Sequence, residues 1–202
     1  MIKFRLFSVD VNVSFLAFAL LTFSVIASGK DSVISLCVLG SLIHEFFHIL
    51  FILRFKGKPR GISFSCEGLT IHSNNEVLSF KQEMVILSAG VISNFILFIS
   101  FYFLYNRFRQ SFFIEFALCN LCLGILNSLP LRSLDGGQML LCVLRQRYDL
   151  RICDIILNIA SFVIVVPITV LGILVLYVSR YNYSLLFISI YLFSLITSKE
   201  MR

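Results

Sequence analysis

The stretch Val38 to Leu53, VLGSLIHEFFHILFIL, decides how this chain reads, because it sets His44, Glu45 and His48 in the spacing HExxH inside an apolar run. Residues four apart share a face of a helix, so the two imidazoles can grip one zinc ion while the glutamate takes a proton from water. A soluble zinc hydrolase carries such a motif on a half-buried helix. Here the flanks are LCVLGSLI and ILFIL, where an ionisable group is costly and by default functional. The stretch predicts a metal-dependent proteolytic centre inside a membrane.

The rest of the chain supports that setting. Of 202 residues, 58% are hydrophobic and 14% charged, and the mean hydropathy is +0.94, as for an integral, multi-pass membrane protein. Six apolar runs are long enough to span or nearly so: 11–28, 33–53, 83–105, 112–129, 153–178 and 183–198. The expected fold is therefore an all-α polytopic membrane protein, one domain over 1–202 with its core at about 33–142 and extra helices at about 11–28, 153–178 and 183–198. The polar connection 54–82 is too short for a core of its own. Its segments GISFSC and GLTIHS alternate, which predicts a small membrane-associated β-hairpin or sheet between the second and third helices. Lys3 and Arg5 ahead of a run ending VIASG resemble a secretory signal, but the apolar part is longer than a signal core and reads as a retained first helix.

Charge placement orients the helices. Lys3, Arg5, Arg54, Lys56, Lys58, Arg60, Lys81, Arg132, Arg145, Arg147, Arg151, Lys199 and Arg202 lie on one side, and Lys30, Arg107, Arg109 and Arg180 on the other. By the positive-inside rule the richer side is cytoplasmic, with both termini and the second and fourth connections there. Basic loops beside anionic lipid account for the net charge of +6 without a nucleic-acid partner.

A zinc hydrolase needs a third protein ligand and an open fourth position. After the fourth run comes NSLPLRSLDGGQ, where Pro130 cannot continue a regular helix, and Gly136 and Gly137 permit close backbone geometry beside Asp135. The second and fourth runs both descend to the cytoplasmic side, so His44, His48 and Asp135 can meet at similar depth. Cys37, Cys119, Cys122, Cys142 and Cys153 lie in or beside apolar runs and Cys66 in the polar connection. They read as packing residues, Cys119 and Cys122 included, although these two form a CxxC.

Taken together these residues resemble the site-2 proteases, zinc intramembrane peptidases of the M50 group, and in particular the branch that acts in endospore formation. The resemblance covers about 38–142. His44, Glu45 and His48 match the HExxH helix, Leu134, Asp135 and Gly136 match the LDG motif, and Ala89, Gly90 and Asn94 match an AGPxxN-like helix between them. Asn127, Leu129, Pro130, Leu134, Asp135, Gly136 and Gly137 meet the pattern NxLPxxPLDGG, while Val91 and Ser133 stand where the family commonly has proline.

The resemblance implies one Zn2+ per chain held by His44, His48 and Asp135, with Glu45 as general base. It also implies a substrate with a transmembrane or membrane-associated segment that must unwind before cleavage, presented as a strand beside the 54–82 region. Asn94 and Asn127 are candidates to position that strand, or else interhelical hydrogen-bonding groups, as Asn120 is read. His72 reads as a surface residue of the hairpin, and Glu115 and Asp154 as interfacial charges. Some relatives carry PDZ or CBS domains, for which six spans in 202 residues leave no room, so control would fall to a regulatory membrane protein, to prior trimming of the substrate or to the flanking helices. A pro-sigma factor, an anti-sigma factor or a remnant signal peptide would each suit as substrate. Two other classes fit part of the pattern. An inactive relative that binds membrane helices would usually lose a ligand or the base, and all four are present. A metal transporter would show inverted repeats and polar residues along several helices, which the sequence lacks.

Overall fold

The structure is a computed structural model that describes residues 2–6, 9–13, 32–56, 61–65, 68–72, 78–132, 134–179 and 189–190. The elements in order are β1 (Ile2–Leu6), β2 (Val9–Val13), α1 (Ser32–Lys56), β3 (Gly61–Ser65), β4 (Gly68–His72), α2 (Phe80–Phe108), α3 (Ser111–Ser128), α4 (Asp135–Leu144) and α5 (Leu150–Ser179). The chain divides into two compact units, Met1–Asn127 and Ser128–Arg202.

Four helices among the described residues, α1, α2, α3 and α5, are long and apolar enough to cross a membrane. At about 1.5 Å per residue, the 25 residues of α1 and 29 of α2 exceed the roughly 30 Å of a hydrocarbon core. Four of the six expected spans are thus present among the described residues. Those expected at 11–28 and 183–198 fall largely outside the described residues, and positions 11–13 of the first lie in β2 instead. Ile155, Ile159, Val163, Val166 and Val170 of α5 are each half exposed or more. In water such a face would promote association, whereas acyl chains cover it in a bilayer.

In the first unit, α2 starts with a capping box: the Gln82 amide N–H donates to Ser79 Oγ, and the Ser79 N–H donates to Gln82 Oε1 at 3.0 Å. It ends at Arg109, in the left-handed region at φ 57°, whose N–H donates to the Tyr105 carbonyl at 2.8 Å. One further residue then leads into α3. Leu36, Phe116 and Cys119 are buried with Cys37, Ile43, Leu97 and Phe101 packed on them, which ties α1, α2 and α3 together. Phe101 and Phe116 meet edge to face at 4.6 Å between centroids, worth about 1 kcal/mol beyond their contact area. Among lipid tails, this kind of close packing replaces the hydrophobic effect as the force between helices.

The strands form one sheet in the order β1-β2-β3-β4. β1 and β2 are antiparallel with Ile2 opposite Val13, β2 and β3 parallel with Val11 opposite Ile62, and β3 and β4 antiparallel with Gly61 opposite His72. The 54–82 connection thus supplies half of a four-stranded sheet, and the N-terminal residues supply the other half. A parallel pair needs a long crossover, and the chain between β2 and β3, α1 included, provides it.

In the second unit, Leu131 and Val165 are buried with Leu129, Leu134 and Ile168 packed around them, which holds the segment after α3 onto α5. Ser161 Oγ donates to the Leu157 carbonyl at 2.8 Å and approaches the Pro130 carbonyl at 3.4 Å. Arg132 pairs with Asp154 at 2.9 Å, both side chains partly exposed. The sequence places Asp135 at an irregular break; the structure places it as the first residue of a ten-residue helix.

Candidate metal centre

His44 and His48 point the same way from α1, one turn apart as their spacing requires, and both are buried, at 5% and 7% exposure. Their Nε2 atoms are 3.1 Å apart. Two zinc–nitrogen bonds of about 2.05 Å at a tetrahedral angle set the nitrogens about 3.3 Å apart, so the pair has the bite of two ligands on one ion. The rings meet edge to face, 4.7 Å between centroids.

The neighbouring helix fixes both rings. α2 presents Ile86, Ala89, Gly90, Ser93 and Asn94 as its buried residues, and Gly90 lies directly against the imidazoles. A Cβ there would stand 2.8 Å from His44 Nε2 and closer still to His48 Nε2. The absent side chain is therefore what leaves room for two rings facing inward. Val91, standing where the family commonly has proline, lies within an unbroken α2.

The outer nitrogens have contrasting partners. His48 Nδ1 lies 2.8 Å from the Ile86 carbonyl. A carbonyl only accepts, so the proton of neutral His48 is on Nδ1, and Nε2 keeps its lone pair for a metal. His44 Nδ1 lies 3.0 Å from Asn94 Nδ2. Asn94 is fully buried, and its Oδ1 has no hydrogen-bond partner among the described residues.

Glu45 is half-buried beside His44 on α1. Asn127, in the last turn of α3, donates its amide to the Leu123 carbonyl of the same helix at 3.1 Å. Asn120, fully buried, likewise donates to the Phe116 carbonyl of its own helix at 2.8 Å, and its Oδ1 has no partner among the described residues.

Within the second unit, Asp135 opens α4, where the partial positive charge of the first helical turn favours a carboxylate. The residue before it, Leu134, provides no side-chain cap. Two glycines follow, and both are required by close approach: a Cβ on Gly136 would strike the Ser128 carbonyl, and one on Gly137 the Leu131 carbonyl. The loop folds tightly onto the start of α4, with the Leu134 N–H donating to the Leu131 carbonyl at 2.9 Å and the Gln138 N–H to the Leu134 carbonyl at 3.1 Å. Asp135 thus leaves a fixed backbone.

The structure brings His44, His48 and Asn94 together within the first unit and sets Asp135 on a rigid corner of the second. Sequence reasoning named three candidate ligands and a candidate base, and it missed the Ile86 carbonyl, the steric role of Gly90 and the partnership of Asn94 with His44. Only the small-residue pattern Ala89, Gly90, Ser93 carried a signal for these, marking a face for close helix contact.

No protein-family profile and no curated protein matches the sequence. The fold does have a counterpart. It is similar to the structure of the site-2 protease from Methanocaldococcus jannaschii, with a TM-score of 0.69 and 18% identity over 98% of this chain and 94% of that one. The chain has the site-2 protease fold, as the motifs implied.

Proposed function

We propose that the chain is an intramembrane zinc endopeptidase that cleaves membrane proteins within or near their transmembrane segments. The observation that carries the reading is the pair of buried imidazoles with Nε2 atoms 3.1 Å apart, on a helix whose next residue after His44 is a glutamate. The likeness to a site-2 protease supports it. His44, His48 and Asp135 are assigned as the protein ligands of one zinc. Both histidines offer nitrogen donors and Asp135 an oxygen donor, a set that suits zinc with a position left for water or substrate.

When bound, zinc lowers the pKa of a water and polarises the scissile carbonyl. Glu45 takes the proton as the water attacks and passes it to the leaving amine as the peptide bond breaks. The Ile86 carbonyl holds His48 in the tautomer that can coordinate. Gly90 keeps the space in front of the rings clear. A substrate helix has to unwind to expose its carbonyl, and among the described residues β1 and β4 are the outer strands of the sheet, along whose edge an extended segment can add. Asn127 is assigned to position that segment.

The centre is assigned to the cytoplasmic side of a bacterial membrane, with both termini there. A membrane-tethered pro-sigma factor in sporulation, an anti-sigma factor and a remnant signal peptide are the substrate candidates, and a second membrane protein is the candidate regulator. Co-expression of each candidate with the wild type and with Glu45→Gln tests the reading. Cleavage by the wild type that is lost in Glu45→Gln is expected, and cleavage that persists in the variant sinks the role given to Glu45.

A further inference from the structure

α1 and α3 approach closely at Gly40. A Cβ there would stand 3.0 Å from Leu123 Cδ1 and 3.2 Å from Asn120 Oδ1, so the glycine is what lets the two helices come together. One turn before Gly40 on α1 is Cys37, and immediately before Asn120 on α3 is Cys119. The crossing sets their sulfurs against each other. The Cys37 thiol donates to Cys119 Sγ at 2.7 Å, and the Cys119 thiol turns toward the Val33 carbonyl at 3.7 Å. Both thiols are free.

An apolar setting suits cysteine as a small packing residue, which is how the sequence reads both. Packing alone, however, leaves two sulfurs at van der Waals separation, and these are closer. A disulfide needs about 2.05 Å between sulfurs on side chains that point at each other from neighbouring backbones. The pair meets the second condition and comes near the first. Cys122, which completes the CxxC with Cys119, is exposed instead.

We propose that Cys37 and Cys119 are a redox site inside the membrane, oxidised by a lipid-soluble quinone to a disulfide that joins α1 to α3. The S–S bond forms as both S–H bonds break, and the two electrons and two protons pass to the quinone, which leaves as the hydroquinone. Both cysteines lie within helices long and apolar enough to cross a membrane, where an apolar acceptor dissolves and a charged one does not. Cys37 is half-buried and offers the way in, and Cys119 is buried behind it. The consequence falls on α1. Cys37 stands seven residues before His44, about 10 Å along the helix, so the bond fixes the helix that carries His44, Glu45 and His48 against α3.

The test uses the purified full chain in lipid nanodiscs, first reduced and then incubated with duroquinone, whose fully substituted ring cannot be alkylated by thiols. Thiols that remain are alkylated, and the digested protein is read by mass spectrometry. Loss of two of the six alkylatable thiols is expected, with a peptide linking Cys37 to Cys119. The oxidised protein should also unfold about 5 °C or more above the reduced one. In Cys37→Ser neither the link nor the shift should appear. Six alkylatable thiols after treatment, or Cys119 linked to Cys122, overturn the proposal on the wild type alone. A link between Cys37 and Cys119 with no rise in unfolding temperature overturns the claim that the bond fixes α1 against α3. Zinc enters none of these readouts, so this inference and the zinc reading fail separately.

Discussion

His44 and His48 stand in the middle of a 25-residue helix and take their orientation from side-chain and carbonyl groups of a second helix, whereas Asp135 opens a ten-residue helix and takes its orientation from the loop just before it. Both places depend on a glycine packed against its surroundings, but the obstacles differ in kind. At Gly90 a Cβ meets imidazole rings, which can rotate away. At Gly137 it meets the Leu131 carbonyl, which is main chain and cannot move without unmaking the loop. The histidine end is thus tuned by side chains over a robust backbone, and the aspartate end is built into the backbone itself.

The larger expected effect is on folding at the aspartate end. Gly137→Ala should lower stability in detergent by about 3 kcal/mol, as overpacking against fixed atoms does, and thermal unfolding of the purified protein measures it. A variant as stable as the wild type would mean that the Leu131 carbonyl does not clamp α4. The smaller effect on folding, and the sharper one on the site, is expected from Gly90→Ala. Its stability should fall by no more than about 1 kcal/mol, while zinc affinity in a competition titration falls about 100-fold as the rings are turned out of line. If Gly90→Ala instead unfolds as readily as Gly137→Ala and binds zinc normally, the contrast between the two ends is wrong.

The long elements were legible because runs of about 20 apolar residues have one common solution in a bilayer. The starts and ends of α1, α2, α3 and α5 fall within a few residues of the runs read from hydropathy. The N-terminal strands were obscured by the same signal. Ile2, Phe4 and Leu6 alternate with Lys3 and Arg5, and Val9, Val11 and Val13 with Asp10 and Asn12, a period of two. The apolar residues that follow drew the last of these into an expected helix. The short helix α4 gave little notice of itself, since it opens Asp-Gly-Gly behind a leucine that offers no side-chain cap, and glycine is a poor helix former.

At the site, the candidate ligands were legible because metal binding needs particular residue types at particular spacings. Their supports were not. The Ile86 carbonyl belongs to every residue type, so no sequence pattern marks it, and the pairing of Asn94 with His44 joins residues 50 positions apart. Such contacts exist only once α1 and α2 have packed.

The central proposal is one zinc held by His44, His48 and Asp135. Elemental mass spectrometry of detergent-purified protein tests it without knowledge of the substrate. Close to one zinc per chain in the wild type, with marked loss in both His44→Ala and Asp135→Ala, is the predicted result. A well-folded wild type that holds no zinc even after reconstitution, or an Asp135→Ala variant that keeps it in full, would contradict the claim.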